Sequence, residues 1–226
     1  MIGPTREAQI ILDNLVQVIP DHVDGRDAIV EMKDAGSPNW RQMEWIGFWF
    51  EHVVDFHLKS RLGVSVGPSV GRTKFDLVLD HVWDLKVHPQ NSTSKFLILN
   101  DKEAVDSCIE EFGGFGFVVV TGDAEYDESG EFKSWHDGLK GGRSNYEEER
   151  VRRGAPSRRR KIGFHPKAID AVFLANQGDV SRGLDERWLG YFQTGMRNSN
   201  GAARRPKYQI NLDKTPDDVV LARRFL

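Results

Sequence analysis

The sequence predicts a domain of the α/β or α+β class, built on a central mixed β-sheet that helices flank. Residues 5–18 carry apolar side chains at a spacing near 3.6, which is typical of an amphipathic helix. Residues 64–121 contain several short runs rich in β-branched and aromatic residues, which is typical of strands. Helices followed by strands, with a further helix among the strands, favour a sheet covered by helices.

The N-terminal part is expected to be helical. Residues 5–18 and, more weakly, residues 24–34 each predict a helix. A serine–proline–asparagine start signal precedes residues 40–62, which predict one long helix that ends at Gly63. This helix holds a group of aromatic residues whose pattern favours core packing: Trp45, Phe48, Trp49 and Phe50.

Short strands and one helix are expected next. The predicted strands cover residues 64–66, 75–79, 81–88, 96–99 and 115–121. Asp80 and His81 form the tight connection between the second and third of these strands. Residues 101–112 predict a helix that ends at a glycine pair.

The C-terminal half predicts a looser mixture of elements. Residues 122–163 are polar and glycine-rich, with one short helix expected at residues 132–139. The pattern then predicts a strand at 168–174, a helix at 184–194, a strand at 208–212 and a closing helix at 215–226. Because no boundary between domains is visible, residues 1–226 are interpreted as a single domain.

The composition favours a soluble protein of a reducing compartment. Hydrophobic residues make up 39% and charged residues 29% of the 226 residues, an ordinary balance for a soluble protein. The net charge of -3 provides no global positive field for a nucleic acid. Cys108 has no second cysteine to pair with, which suits a reducing cytoplasm. We expect no membrane span, because no apolar run is long enough, and no secretory signal at the N-terminus.

The residues that indicate chemistry lie on two adjacent predicted strands. Because side chains alternate along a strand, Asp84, Lys86 and His88 are expected on one face and Leu85 on the other. If the two strands pair across the tight turn, Asp76 lies almost opposite Asp84. Facing carboxylates repel each other unless a cation lies between them, and Mg²⁺ prefers carboxylate oxygens. A lysine on the same face could orient or deprotonate a water, or stabilise charge on a phosphate.

This arrangement, Asp76-x7-Asp84-Leu85-Lys86, resembles the PD-(D/E)XK nucleases, the family that includes most restriction endonucleases. The resemblance implies a restriction-endonuclease-like fold. It also implies that Asp76, Asp84 and the backbone carbonyl of Leu85 bind Mg²⁺, while Lys86 orients and activates the attacking water.

A helix upstream of the first strand commonly supplies a further glutamate in that family. Glu51 follows Gly47 at a spacing that resembles this helix, so it is expected to bind a second metal or to tune the first through water. Glu44 lies seven residues earlier on nearly the same helix face and is the alternative.

The resemblance implies a type II restriction endonuclease of a restriction–modification system. Such an enzyme cuts double-stranded DNA at a short specific sequence, usually as a homodimer. The sequence lacks the phosphate-binding loop motif of nucleotide-driven enzymes, so no nucleotide cofactor is expected. Three alternatives stay open: a repair nickase or junction resolvase of the same fold, a non-catalytic DNA-binding module, and an ordinary hairpin whose acids only face solvent.

Two basic segments, near residues 143–163 and 195–208, are expected to form loops that contact DNA. Between residues 150 and 161 the first contains no acidic residue, so it could order along a phosphate backbone or remain a solvated loop. The second mixes arginine with asparagine, the side chains that read guanine and adenine edges. The residues expected to contact DNA are Arg152, Arg153, Arg158, Arg159, Arg160, Lys161, Arg197, Asn198, Asn200, Arg204, Arg205 and Lys207.

Overall fold

The computed structural model describes residues 2–62, 65–143, 145–197 and 201–226. Within this part of the chain the α-helices are α1 (Pro4–Leu15), α2 (Gly25–Asp34), α3 (Trp45–His57), α4 (Lys59–Leu62), α5 (Lys102–Phe112), α6 (Glu131–Leu139), α7 (Asn145–Arg152) and α8 (Gln177–Asp185). Short 3-10 helices lie at Pro38–Arg41, Leu212–Lys214 and Asp217–Val219.

The strands form one large sheet and two small ones. They are β1 (Val23–Asp24), β2 (Ser65–Val66), β3 (Ser69–Val70), β4 (Thr73–Lys74), β5 (Leu77–Val78), β6 (Val82–Pro89), β7 (Phe96–Asp101), β8 (Phe115–Tyr126), β9 (Lys161–Leu174), β10 (Leu189–Phe192), β11 (Lys207–Asn211) and β12 (Val220–Phe225). The central sheet has the order β1-β9-β8-β6-β5-β2, and β12 also pairs with β9. The β10-β11-β7 sheet and the β3–β4 hairpin are separate from it.

Strand direction makes the central sheet mixed. β6 and β8 run parallel, with Val82 in register with Phe115, because β7 and α5 form the crossover between them. The other pairs of this sheet are antiparallel, including the hairpin of β5 and β6 and the long pair of β8 and β9. This mixed central sheet with flanking helices confirms the predicted fold class at its coarse level.

Hydrophobic cores cover both faces of the central sheet. Helices α1, α2 and α3 pack on one face, where Trp45, Phe50 and Trp83 are among the largest buried side chains. Helix α5 and the β10-β11-β7 sheet cover the other face, where Phe117 and Trp188 are buried. Each such side chain contributes on the order of 1.5–3 kcal/mol when it leaves water. Strand β6 lies between these two cores, which fix its position from both sides.

A buried carboxylate anchors the turn between β5 and β6. Glu7, on α1, is fully buried and accepts hydrogen bonds from Trp83 Nε1 at 2.7 Å, Asp80 N at 2.9 Å and His81 N at 3.3 Å. His81 Nδ1 lies 3.1 Å from the same carboxylate. These donors satisfy the oxygens of Glu7, so the first helix holds the tight turn that the sequence predicted at Asp80 and His81.

Several predicted elements are confirmed, but the long helix predicted at residues 40–62 is confirmed only in part, as α3 and α4 with a break at Leu58. A 3-10 helix occupies Pro38–Arg41, the chain leaves helical geometry at Gln42, and α3 begins only at Trp45. The Trp45 side chain is buried and donates its Nε1 hydrogen to the carbonyl of Lys161 at 2.9 Å, which holds the start of α3 against β9. The predicted stop at Gly63 lies outside the described residues.

The helices predicted at residues 184–194 and 215–226 are wrong. Helix α8 ends at Asp185, Arg187 takes a positive φ of 62°, and the following residues form β10, which pairs with β11. The C-terminal residues form β12 because the edge of β9 offers them a full set of backbone partners. In both places long-range pairing outweighs the local pattern.

Candidate active site

The two predicted aspartates lie opposite each other. Leu77 pairs with Trp83 in the β5–β6 hairpin, and this register continued by one residue places Asp76 opposite Asp84. Asp76 Oδ2 accepts a hydrogen bond from the backbone N–H of Leu85 at 2.7 Å. The Asp84 side chain is only 4% exposed. The alternation of β6 is also as predicted, since Leu85 packs in the core on the opposite face.

Lys86 lies against Asp84. Its ammonium group forms an ion pair with Asp84 Oδ2 and lies 3.3 Å from both the Leu85 carbonyl oxygen and Asn100 Oδ1. Burial by itself lowers the pKa of Lys86, but the carboxylates of Asp84, Asp76 and Glu51 outweigh burial and raise it above its usual range. Lys86 therefore carries a full positive charge in this arrangement.

Asn100, at the end of β7, completes the group and was missed from the sequence. Its Nδ2 donates to Asp84 Oδ1 at 2.8 Å, while its Oδ1 accepts from Lys86. It thereby orients both charged side chains. The available signal was weak: a polar residue that follows the apolar run of residues 96–99.

Helix α3 supplies Glu51 to the same place. A cavity of about 400 Å³ is lined by Glu51, Asp76, Asp84, Lys86 and Asn100, and we call it the active-site cleft. Burial raises the pKa of Glu51 to about 7; the charge of Lys86 opposes this rise and that of Asp84 adds to it.

Glu44, the alternative carboxylate, lies elsewhere. It does not line the active-site cleft; it forms an ion pair with Lys161 and lies 4.0 Å from Arg158. The geometry therefore favours Glu51 over Glu44 as the carboxylate that joins the two aspartates.

Four acids and three lysines line the active-site cleft: Glu51, Asp55, Asp76, Asp84, Lys59, Lys74 and Lys86. Burial, followed by the charges of Asp84 and Glu51, raises the pKa of Asp76 to about 8, because these effects outweigh the lowering by the Leu85 N–H and by Lys86. The carboxyl groups of Asp76, Asp84 and Glu51 thus lie close enough to act on one another. Such a set of hard oxygen donors fits a divalent cation such as Mg²⁺.

The carboxylates nevertheless do not converge as tightly as a preformed metal cage. Among the described residues, only His22, Glu125 and His165 bring three ligand atoms within 4.8 Å of one another, and all three are exposed. This group lies on β8, β9 and the residue before β1, away from the predicted acids. Lys86 and Asn100 contact the two carboxylate oxygens of Asp84 in this arrangement.

A second cavity continues from the active-site cleft. It has a volume of about 480 Å³, shares Phe48, Glu51 and Lys86 with the cleft, and extends past Glu44 to Lys161. The two cavities together form an elongated depression, and Lys86 and Glu51 lie where they meet.

The first basic segment is more ordered and more neutralised than the sequence predicted. Residues up to Arg152 belong to α7, and β9 already begins at Lys161. Acids from outside the run compensate its charge: Arg152 and Arg153 pair with Glu149, Arg159 with Glu128, and Lys161 with Glu44. The expectation of an uncompensated loop is therefore wrong. Arg158 is 78% exposed, whereas Arg160 is buried.

The second basic segment reaches the edge of the candidate site. Arg205 forms an ion pair with Asp101 at 3.1 Å, and Lys207 lies 3.9 Å from the same carboxylate. Asp101 directly follows Asn100, so these cations lie one residue from the site. Arg197 forms an isolated bridge with Ala203, and Arg204 is exposed. The predicted contacts Asn198 and Asn200 lie outside the described residues.

Comparisons with known proteins do not extend this description. No protein-family model matches the chain. No curated protein and no solved structure matches it either. In the part of the chain that the structure describes, every helix is too short or too polar to traverse a lipid bilayer.

Proposed function

We propose that the chain is a Mg²⁺-dependent endonuclease of the PD-(D/E)XK type and that it has the restriction-endonuclease-like variant of the mixed sheet. One observation supports this most strongly: Asp76, Asp84, Lys86 and Glu51 meet at one cleft, with the acids opposite each other on a hairpin. An ordinary hairpin with solvent-facing acids would not bury Asp84 or bond it to both a lysine and an asparagine.

Asp76, Asp84 and the Leu85 carbonyl are the groups that would hold Mg²⁺. When bound, the ion would polarise the scissile phosphate and acidify a water. Asn100 would keep the Asp84 carboxylate oriented through its Nδ2 hydrogen bond.

Lys86 would act as a cation beside the bound ion. In the metal-free protein its pKa lies above the usual range, because the neighbouring carboxylates favour the ammonium form. From its position between Asp84 and Asn100, it could orient the attacking water and stabilise the charge that builds up on the phosphate. Glu51, with a pKa of about 7, could take up or release a proton near neutrality.

The substrate that fits the elongated depression best is double-stranded DNA. The two connected cavities give a backbone room to pass Lys86. Arg158 lies 4.0 Å from Glu44, which lines one cavity, and Arg205 pairs with Asp101, next to Asn100 of the other. We propose a type II restriction endonuclease that acts as a homodimer, since two-fold symmetry would place one site on each strand of a palindrome.

The proposal is tested by digestion of supercoiled plasmid and of a long sequenced DNA with Mg²⁺. Asp84→Asn and Lys86→Ala are expected to slow cleavage by at least about 10³-fold while DNA binding persists. Asp213→Asn and Lys95→Ala are matched controls, because this acid and this lysine are exposed and 3.4 Å apart. They should cut like the wild type.

The product pattern separates the remaining alternatives. Discrete linear fragments with mapped ends support a restriction enzyme, whereas open circles alone support a repair nickase, and cleavage confined to branched DNA supports a junction resolvase. DNA retention without cleavage at any Mg²⁺ concentration would leave only a binding module. Full activity in both Asp84→Asn and Lys86→Ala would refute the assignment of the site.

A further inference from the structure

Arg160 is a buried cation with an unusual deficit of partners. Its side chain belongs to a residue that is only 7% exposed, and among the described residues its Nε and Nη1 atoms are buried without a hydrogen-bond partner. Its neighbour Arg159, by contrast, pairs with Glu128 and stacks over the Tyr126 ring at 4.4 Å. Burial of a guanidinium that has no ion-pair partner destabilises the folded state. Arg160 is therefore expected to lower the stability of the protein.

The two acids that line the same cavity as Arg160 already pair with other cations. Asp137 binds Lys133 at 2.9 Å and Lys140 at 2.8 Å. Glu147 binds Lys133 at 3.0 Å and Arg150 at 2.7 Å. These carboxylates line the same cavity as Arg160 but are held by lysines and by Arg150. Neither carboxylate forms an ion pair with Arg160, so its positive charge is not compensated.

The cavity beside Arg160 is a basic one of about 450 Å³, and we call it the Arg160 cavity. Arg41, Lys140 and Arg143 also line it, so four cations surround it against the two paired carboxylates. Gly142 lines it as well, with a φ of 125° and open space where a Cβ would stand, which leaves room for a ligand beside the backbone.

We propose that the Arg160 cavity binds a phosphate group, either a backbone phosphodiester of DNA or free phosphate. Arg160 lines this cavity, and a planar guanidinium offers N–H donors that match phosphate oxygens. The DNA form of the inference rests on the proposed nuclease function.

The first 3-10 helix and the residues that lead from it to α3 connect this cavity to the active site. Asn39 lines the active-site cleft, Arg41 and Met43 line the Arg160 cavity, and Glu44 lines the cavity that continues from the cleft. A duplex that lies along the elongated depression would therefore place one of its phosphates at Arg160. That phosphate would lie at a fixed distance from the scissile phosphate. Arg160 would act as a positioning residue for the substrate.

Thermal melting without metal tests phosphate binding directly. Sodium chloride in the buffer is replaced stepwise by sodium phosphate at constant ionic strength. The melting temperature of the wild type is expected to rise with phosphate concentration. Arg160→Met is expected to melt higher than the wild type in chloride, because it removes an unpaired buried charge, and to show no rise with phosphate. Arg6→Met is the control: Arg6 is exposed on α1 and does not line the Arg160 cavity, so this variant should respond like the wild type.

Arg160→Lys provides a second variant should the methionine not fold, and it should keep only a weakened response because it lacks the planar fork. The inference is overturned if the wild type shows no phosphate-dependent rise, or if Arg160→Met or Arg160→Lys retains the full rise.

Duplex binding in EDTA distinguishes the source of the phosphate. If the ligand is DNA, Arg160→Met should weaken duplex binding by about tenfold and lower the salt dependence by about one phosphate contact. Unchanged duplex affinity together with the phosphate-dependent rise would assign the cavity to free phosphate. Plasmid cleavage is measured separately. If phosphate raises the melting temperature but the protein cuts no DNA, the nuclease proposal is rejected while the phosphate site at Arg160 is supported.

Discussion

Glu7 and Asp76 are both acids removed from water, yet the protein treats them differently. Glu7 is fully buried, and hydrogen bonds from Trp83, Asp80 and His81 satisfy its carboxylate. Asp76 receives one backbone N–H, from Leu85, and faces two other carboxylates. Burial alone therefore does not mark a functional acid. What distinguishes Asp76 is that the surrounding protein does not compensate the charge of its carboxylate. A charge of this kind indicates a functional site that takes a ligand.

The largest effect on stability is expected at the satisfied acid. Glu7→Ala should lower the free energy of unfolding by about 3–5 kcal/mol, because it leaves several buried donors unpaired and opens a cavity between α1 and the β5–β6 turn. Urea denaturation measures this. A loss below about 1 kcal/mol would mean that Glu7 does not anchor the turn.

The opposite sign is expected at the uncompensated acid. Asp76→Asn should raise the free energy of unfolding of the metal-free protein by roughly 1–2 kcal/mol, because it removes one of three repelling carboxylates. The same variant should lose DNA cleavage. If Asp76→Asn instead destabilises the metal-free protein, then Asp76 stabilises the fold as Glu7 does, and the proposed contrast between the two acids is wrong.

The pH dependence sharpens the contrast. The pKa of Asp76 is about 8 in the folded protein against 3.8 ordinarily, and that of Glu51 about 7 against 4.5. The folded state therefore binds more protons between about pH 4 and pH 8, so these groups make the metal-free protein less stable as pH rises through that window.

The measurement is a pair of urea denaturation series at several pH values, for the wild type and for Asp76→Asn. The difference in unfolding free energy between the two should grow in favour of the variant as pH rises from 4 to 8. A difference that is constant across this range would show that Asp76 titrates normally.

The smallest effect is expected at Asn100. Asn100→Ala removes one hydrogen bond to Asp84 and one to Lys86 but no charge, so cleavage should slow by about tenfold. Single-turnover cleavage rates measure this. Asn91→Ala is a control, because the Asn91 side chain bonds to the backbone of Ala124 and does not line the active-site cleft. An unchanged rate in Asn100→Ala would remove Asn100 from the site.

Local patterns sufficed to predict the strand residues of the site. Asp76, Asp84 and Lys86 follow from strand alternation and a tight turn, both of which depend on neighbours in sequence. Glu51 and Asn100 come from elements that only tertiary packing brings to β6. Glu51 was still identified, because the resemblance to a nuclease family supplied it, whereas Asn100 had no comparable pattern.

The parts that could not be predicted depend on long-range partners. Residues 220–225 have a pattern compatible with a helix, and only the free edge of β9 makes them a strand. Arg160 lies in an arginine run that suggests a solvated loop, yet packing near α6 and the first 3-10 helix buries it. The acids that neutralise the rest of that run, Glu44, Glu128 and Glu149, lie outside it in sequence.

The most direct test of the central claim is the melting temperature at pH 8 as Mg²⁺ is added, without DNA. We expect the wild type to be stabilised, because the ion neutralises Asp76 and Asp84, and we expect Asp76→Asn and Asp84→Asn to show little or no rise. An equal rise in the wild type and both variants, or no rise in the wild type, would contradict a divalent-ion site at these two aspartates.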